Sequence, residues 1–373
     1  MDVLELTKNL ISIESVTGNE HAIAEFIASQ LDFTEVKMQS IRGFGPNVIV
    51  RHITDPEKAC IILNCHMDTV EVMQGWTSDP LKPRTEGNRL FGLGACDMKA
   101  GIAIAVDAFK YAVNRDMNLI FTAVSDEEGN SKGSHVLIEQ LIKRDFKEHL
   151  KDGLCIIPED TQENVKLGAR GRYVIEINVT GRSSHGATPK SGTNAIEDAA
   201  QIVGALNKLP LNSHSKLGEG TICALKIEGG GNSLSVPDKC TIRVDRHTVM
   251  GESKKQIKND FEELLKTMDI KSSYEISFMK RETPFLEPYI LEENDPWAIK
   301  FKSVYRKLYE KEPDIVYGKS VGDFNAFGKI MPTIVFGPKG ENLHGPNECV
   351  YIDSIERCRN FYLKFLDSIK GIG

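Results

Sequence analysis

A few histidines and carboxylates stand out in this 373-residue chain because their types and spacing suit metal chemistry. His66 and Asp68 are one residue apart, Asp126, Glu127 and Glu128 are consecutive, and Asp97, Glu159 and His344 stand at other points along the sequence. Imidazole and carboxylate together are donors for zinc, with cobalt or manganese suited by similar preference. Taken singly, each has an ordinary explanation. Asp97 before a helical pattern is a favoured N-cap, His66 is a residue after a strand, and Asp126–Glu128 is a solvated acidic loop. Together they are harder to dismiss, because carboxylates brought to one place repel unless cations lie among them.

The elements around these residues explain how they would meet. Asn47–Ile53, Ala59–Cys65, Asn118–Val124 and Leu154–Ile157 are β-branched runs, and Thr333–Phe336 is a further buried strand. Met98–Ala112, Lys132–Ile142 and Ile355–Ile369 carry helical spacing of apolar positions. Strands separated by helices predict an α/β domain with a largely parallel sheet flanked by helices. His66 and Asp68, Asp126–Glu128, Glu159 and His344 each follow one of these strands, and the C-terminal edge of an open parallel sheet is where ligands bind. Asp97 opens the helix expected from Met98 and would reach the same edge.

The middle of the chain reads differently. Tyr173–Thr180 alternates as a sheet with one wet face does. Helix Asn194–Asn207, strands Thr221–Ile227 and Cys240–Val244, helix Ser253–Met268 and strand Ser272–Met279 follow. This order predicts a ferredoxin-like α+β unit over residues 173–283, inserted into a discontinuous catalytic domain of residues 1–172 and 284–373.

Charge counting favours two divalent ions. Asp97, Glu128 and Glu159 with one hydroxide would balance four positive charges, leaving His66 and His344 neutral. Asp68 is placed to orient the His66 ring. Glu127 is then an uncoordinated carboxylate beside the ions, a natural general base.

Four segments carry a resemblance: His66-Met67-Asp68-Thr69-Val70, Gly92-Leu93-Gly94-Ala95-Cys96-Asp97-Met98-Lys99, Asp126-Glu127-Glu128-Gly129 and Leu343-His344-Gly345-Pro346-Asn347-Glu348. In order and separation they resemble the co-catalytic zinc peptidases and deacylases of the M20 type. These are the relatives of acetylornithine deacetylase, succinyl-diaminopimelate desuccinylase, aminoacylase-1 and glutamate carboxypeptidase. The resemblance implies that Asp97 bridges two Zn2+ ions, with His66 and Glu159 on one, Glu128 and His344 on the other, and Glu127 as base. The deacylase branch has Glu-Pro at the third carboxylate ligand, whereas this chain reads Pro158-Glu159-Asp160, so Asp160 is the alternative ligand. Gly181-Arg182-Ser183-Ser184-His185-Gly186 resembles the lid motif whose histidine reaches a neighbouring subunit's site to stabilise an oxyanion. That implies a homodimer through the lid. Asn232 and Arg246, with Arg243 a weaker candidate, resemble lid residues that hold the substrate's polar or carboxylate end. Gly322-Asp323 resembles a substrate-pocket segment, with helix capping the alternative for Asp323. The expected reaction is hydrolysis of an N-acyl amino acid; a carboxypeptidase, dipeptidase or aminopeptidase of the same family is the alternative.

Composition narrows the rest. A formal net charge of -7 argues against a nucleic-acid partner. No apolar run approaches the roughly 20 residues that cross a bilayer, and Met1 leads into Asp2, Glu5 and Lys8 without the apolar stretch of a signal peptide. Eight scattered cysteines without a CxxC pair point to reduced thiols and the cytoplasm. A dinucleotide fold is disfavoured because Asp97 occupies the third glycine position after Gly92-Leu93-Gly94, and no G-x-S-x-G elbow indicates a serine hydrolase. A non-catalytic metal- or peptide-binding descendant would be expected to lack Glu127 or a ligand, and all are present.

Overall fold

A computed structural model describes residues 2–55, 58–113, 115, 117–142, 152–231 and 233–369. The chain divides into two compact units: Met1–Gly168, Ile290–Tyr317 and Gly322–Gly373 form one, and Ala169–Tyr289 with Gly318–Val321 the other. The inserted unit therefore begins four residues before Tyr173 and ends six after Thr283. Its first strand, Gly171–Thr180, extends two residues further back than alternation alone suggests.

In the first unit the main sheet runs in the order Val36–Gln39, Asn47–His52, Asn118–Val124, Cys60–His66, Leu154–Ile157, Thr333–Val335, Val165–Ala169. Cys60–His66 is parallel to both Asn118–Val124 and Leu154–Ile157, and Thr333–Val335 is parallel to Leu154–Ile157. Asn47–His52 and Val165–Ala169 pair antiparallel on either side of this group. The four parallel strands are buried along their whole length. That is why they read as continuous β-branched runs rather than as alternating ones. Helix Ala100–Ala112, rich in alanine and isoleucine and buried on most of its surface, packs against helices Val3–Ile11 and Ile352–Ser368.

Short strands missed by periodicity build a second, antiparallel sheet in the same unit. Gly340–Glu341 pairs with Cys349–Tyr351, which pairs with Arg89–Phe91, which pairs with Arg84–Glu86. This sheet brings the segment leading into Asp97 beside the loop carrying His344.

The second unit has the strand order Thr221–Gly229, Lys239–Thr248, Gly171–Thr180, Ser273–Phe278, all antiparallel. Helices Ala195–Ala205 and Lys254–Lys266 complete the βαββαβ order of a ferredoxin-like unit. Asn194 caps the first helix by accepting from the Ile196 and Glu197 amides, and Ser253 caps the second through the Gln256 amide. Ile175, Ile177, Val179, Ile242 and Val244 from the strands pack with Ala199, Ile202, Phe261 and Leu265 from the helices.

Candidate metal centre

Because the four buried strands are mutually parallel, their C-terminal ends lie at one edge, and each delivers a donor there. His66 is the last residue of its strand and is buried. The Asn118–Val124 strand runs into Ser125 and the acidic triplet, and Leu154–Ile157 runs into Pro158 and Glu159. Thr333–Val335 leads through Gly340–Glu341 to His344.

Asp97 does not open a helix at Met98. Its backbone is extended (φ -115°, ψ 93°), the next residue is also non-helical, and the regular helix begins only at Ala100, without a side-chain cap. The capping explanation of Asp97 therefore fails, because its carboxylate is engaged elsewhere. Oδ1 lies 3.0 Å from His66 Nε2, and Oδ2 lies 3.0 Å from His344 Nε2. His344 Nε2 is also 2.9 Å from Glu128 Oε1. Donor atoms of His66, Asp97 and Glu128 all fall within 4.8 Å of one another. This donor set, imidazole nitrogens facing the two oxygens of one carboxylate with a further carboxylate alongside, fits a metal site.

Asp68 orients the His66 ring by a different atom from the one expected. His66 Nδ1 bonds to the Asp68 backbone carbonyl at 2.9 Å, while the carboxylate Oδ1 stands 3.7 Å away. The carboxylate instead accepts the Glu127 and Glu128 amides, both at 3.1 Å, and the Thr17 hydroxyl at 2.9 Å. It fixes the acidic loop, and through that loop Glu127 and Glu128.

Glu127 is half-buried against the start of helix Asp323–Gly328, where its Oε1 accepts the Asp323 amide at 3.2 Å. Gly322 makes the approach possible, since a Cβ there would stand 2.6 Å from that oxygen. The Gly322–Asp323 match thus has a use in supporting Glu127. Glu159 is half-buried, with Lys166 Nζ 3.7 Å from its carboxylate. The neighbouring Asp160 is engaged locally, accepting the Gln162 backbone amide at 2.9 Å and its side-chain amide at 3.2 Å.

The electrostatics of the donor set follow from burial and proximity. Burial pushes the Glu127 carboxyl well above the usual range; Glu159, Asp323 and Glu128 add to this and His66 opposes it. Glu159 is pushed up to about 7, first by burial and then by Asp97, with Lys166 opposing. For His66 burial works to lower the pKa, but the Asp97 bond and the Glu127, Asp97 and Asp68 charges raise it well above the imidazole range. His344, more exposed, is raised to about 10 by its bonds to Asp97 and Glu128. Burial would raise Asp97, yet the bonds from His344 and His66 hold it below the usual carboxylate range. Excess negative charge in a buried place is what a cation relieves.

Glu348 was legible only as part of a motif. It is buried, and its carboxylate accepts three amides of the loop carrying Asp97, those of Gly94, Cys96 and Asp97. A partner made of backbone amides leaves no trace in residue types.

The site residues expected in the second unit do not form such a cluster within it. His185 is exposed, and its Nδ1 accepts the Ala187 amide at 3.0 Å. Arg246, expected as an open carboxylate binder, is buried in a pair with Glu252 and donates to the Pro210 carbonyl at 2.9 Å. Arg243 pairs with Glu176 at 2.9 Å. Asn232 lies outside the described residues.

Metal-dependent hydrolysis is the class of chemistry that this donor set suits. The chain belongs to peptidase family M20/M25/M40, whose model matches residues 62–368, and it is accordingly a hydrolase of C–N bonds. The succinyl-diaminopimelate desuccinylase of Nitratiruptor sp. is 25% identical over 384 residues, covering 100% of both chains. Among solved structures, the aminopeptidase PepT from Bacillus cereus superposes with a TM-score of 0.78 at 19% identity, covering 98% of each chain. The YXEP protein of Bacillus subtilis, described as a dinuclear metal-binding peptidase, gives 0.73 at 11% identity, with 100% of this chain and 98% of that one covered. At these identities the structural likenesses speak to the fold, which they share throughout. No helix among the described residues is long and apolar enough to cross a membrane.

Proposed function

We propose that the protein hydrolyses the amide bond of an N-acyl amino acid, using two zinc ions held by His66, Asp97, Glu128, Glu159 and His344. The observation that carries the two-ion reading is Asp97, whose two oxygens face different imidazoles at the same 3.0 Å. Such a carboxylate is built to be shared. Glu159 is preferred to Asp160 as the remaining ligand because Asp160 is already engaged by Gln162. The Lys166 ammonium near Glu159 is a counter-charge that a cation would replace.

When bound, the ions supply Lewis acidity for the carbonyl and lower the pKa of water. Glu127 removes a proton from the attacking water, and the same carboxylate delivers it to the leaving nitrogen. The water oxygen ends on the acyl carbon, and the C–N bond breaks to free an amine. The Asp323 amide and the Gly322 approach hold Glu127 in place for both transfers. His185 of a second subunit donates to the oxyanion. Support comes from the Ala187 amide on Nδ1, which leaves the neutral ring's proton on Nε2, where a donor is needed. The protein acts as a homodimer through its inserted unit, with Asn232 proposed to bind the substrate's polar end; Arg246, buried against Glu252, is not free for that task. Eight free cysteines, seven of them buried, support a reducing, cytoplasmic setting.

The acyl substrate is preferred because the full-length relative is a desuccinylase. A peptidase is the second reading, favoured by the aminopeptidase among the structural neighbours. N-acetyl and N-succinyl amino acids should be assayed beside di- and tripeptides with added zinc, cobalt or manganese. Cleavage of the acyl compounds is expected; turnover of peptides alone would overturn the deacylase reading.

A further inference from the structure

We propose that Glu348 is a positioning residue of the metal centre. Its carboxylate sets the backbone of Gly94–Asp97 so that the two oxygens of Asp97 face His66 and His344. This rests on the reading of Asp97 as the shared ligand.

The loop does not hold this shape by regular secondary structure. Gly94 is left-handed (φ 72°), and Asp97 and Met98 have non-helical backbone angles. Its own backbone bonds include those of the Ala95 amide to the Gly92 carbonyl, 3.1 Å, the Lys99 amide to the Gly94 carbonyl, 2.9 Å, and the Ala100 amide to the Ala95 carbonyl. The amides of Gly94, Cys96 and Asp97 converge instead on one carboxylate. Glu348 Oε2 accepts the first at 2.8 Å, and Oε1 accepts the other two at 2.9 and 3.0 Å. Successive amides turned inward form an anion-binding concavity, and here the anion is supplied by the chain itself. Glu348 is 2% exposed, a depth at which a carboxylate needs such bonds.

The same short loop grips Asp97 twice. His344 meets its side chain at 3.0 Å, and Glu348, four residues on, meets its amide. Strands Gly340–Glu341 and Cys349–Tyr351 fasten both ends of that loop to the sheet that includes Arg89–Phe91. A ligand for one ion and the clamp on the shared ligand are therefore one piece of chain.

The competing account is that Glu348 merely offsets the charge of the buried Lys99. Lys99 Nζ, however, donates to the Ile13 carbonyl at 2.9 Å, whereas the bonds to Glu348 come from amides. The two accounts separate in substitution. Glu348→Gln removes the charge and one of the two acceptor oxygens but keeps an oxygen that can accept the Cys96 and Asp97 amides, and Glu348→Ala removes all of these.

The test measures zinc affinity by chelator competition, and the visible spectrum of the cobalt-loaded protein, for the parent, Glu348→Gln, Glu348→Ala and Asp97→Asn. Glu348→Ala is expected to bind zinc about 10–100-fold more weakly, with an altered cobalt spectrum, and Glu348→Gln to retain most of the affinity. The inference fails if Glu348→Ala binds within about twofold of the parent, or if Gln and Ala lose affinity equally. If Glu348→Ala does not fold, Glu348→Asp replaces it, keeping charge but losing reach. Retention by Gln and loss by Asp is then expected, and the reverse overturns the inference. Asp97→Asn keeps the two failures apart. Parent-like zinc binding in that variant sinks the shared-ligand reading itself, whereas loss there beside an unaffected Glu348→Ala sinks only the role of Glu348.

Discussion

The C-terminal edge of the parallel sheet and the inserted ferredoxin-like unit both carry residues that suit catalysis, but they hold them differently. At the sheet edge, Asp97 links His66 to His344 and His344 meets Glu128, all at 2.9 to 3.0 Å and within that unit. In the inserted unit His185 stands exposed, and Arg246 has its charge met by a buried Glu252. Groups that must share charge are assembled within one folding unit. A group that only touches a substrate, as proposed for His185, can be displayed from a surface.

The strongest way to break this contrast is to remove the shared carboxylate. Asp97→Asn, or exhaustive chelation of the parent, should abolish turnover, and readdition of zinc should restore only the parent. Activity that survives chelation would place catalysis outside the cluster. Next in size is Glu127→Gln, expected to lower kcat by about 10²–10⁴-fold, the range typical of general acid–base groups, with metal content unchanged by elemental analysis. Unaltered turnover would remove Glu127 from the reaction. His185→Ala should lower kcat by roughly 10²–10³-fold, as loss of an oxyanion donor does. Mixing it with a Glu127→Gln chain should recover part of the activity if His185 serves the partner's site, and no recovery would confine its action to its own chain.

Arg246 sharpens the comparison from the side of stability. Arg246→Met leaves Glu252 buried alone and should cost about 3–5 kcal/mol in urea unfolding. An unchanged midpoint with a raised KM for anionic substrates would show instead that Arg246 serves the ligand. The smallest effect concerns pH. His344 is raised to about 10 from 6.5, so its pairing stabilises the metal-free protein fully below the unfolded value. That contribution is lost as pH rises through about 10. Zinc must displace the proton, so affinity should climb across the same window, by up to about tenfold per pH unit for each proton released. Calorimetry in buffers of different ionisation enthalpy would read that release, and zinc binding without it would contradict the raised value.

Much of this was legible in the sequence, for a physical reason. Strands buried on both faces are continuous β-branched runs, so their ends, and therefore His66, Asp126–Glu128 and Glu159, could be located without coordinates. The ferredoxin-like order was legible because its first strand alternates and the strand-like and helical segments that follow come in the βαββαβ order. What escaped notice depended on backbone. Asp97 reaches the edge because residues 97 and 98 are not helical, and no side chain announces that. The carboxylate of Asp68 holds amides rather than the ring it was expected to orient. The strands that join the Asp97 and His344 segments are two or three residues long, too short for any period. Arg246 looked available because its partner, Glu252, lies beyond the strand in a turn.

The position of Thr333–Val335 has a consequence for how the protein is made. This strand pairs with Leu154–Ile157, yet the ribosome delivers it only after the whole inserted unit. At the ~5–20 residues per second typical of synthesis, a buried-type apolar strand edge waits on the order of ten seconds for its neighbour. During that interval the four strands of the inserted unit's sheet are all delivered, while the sheet edge still lacks His344 and Glu348. The proposed donor set is therefore complete only after the inserted unit has been made, and until then the waiting edge invites a chaperone or a mispaired strand.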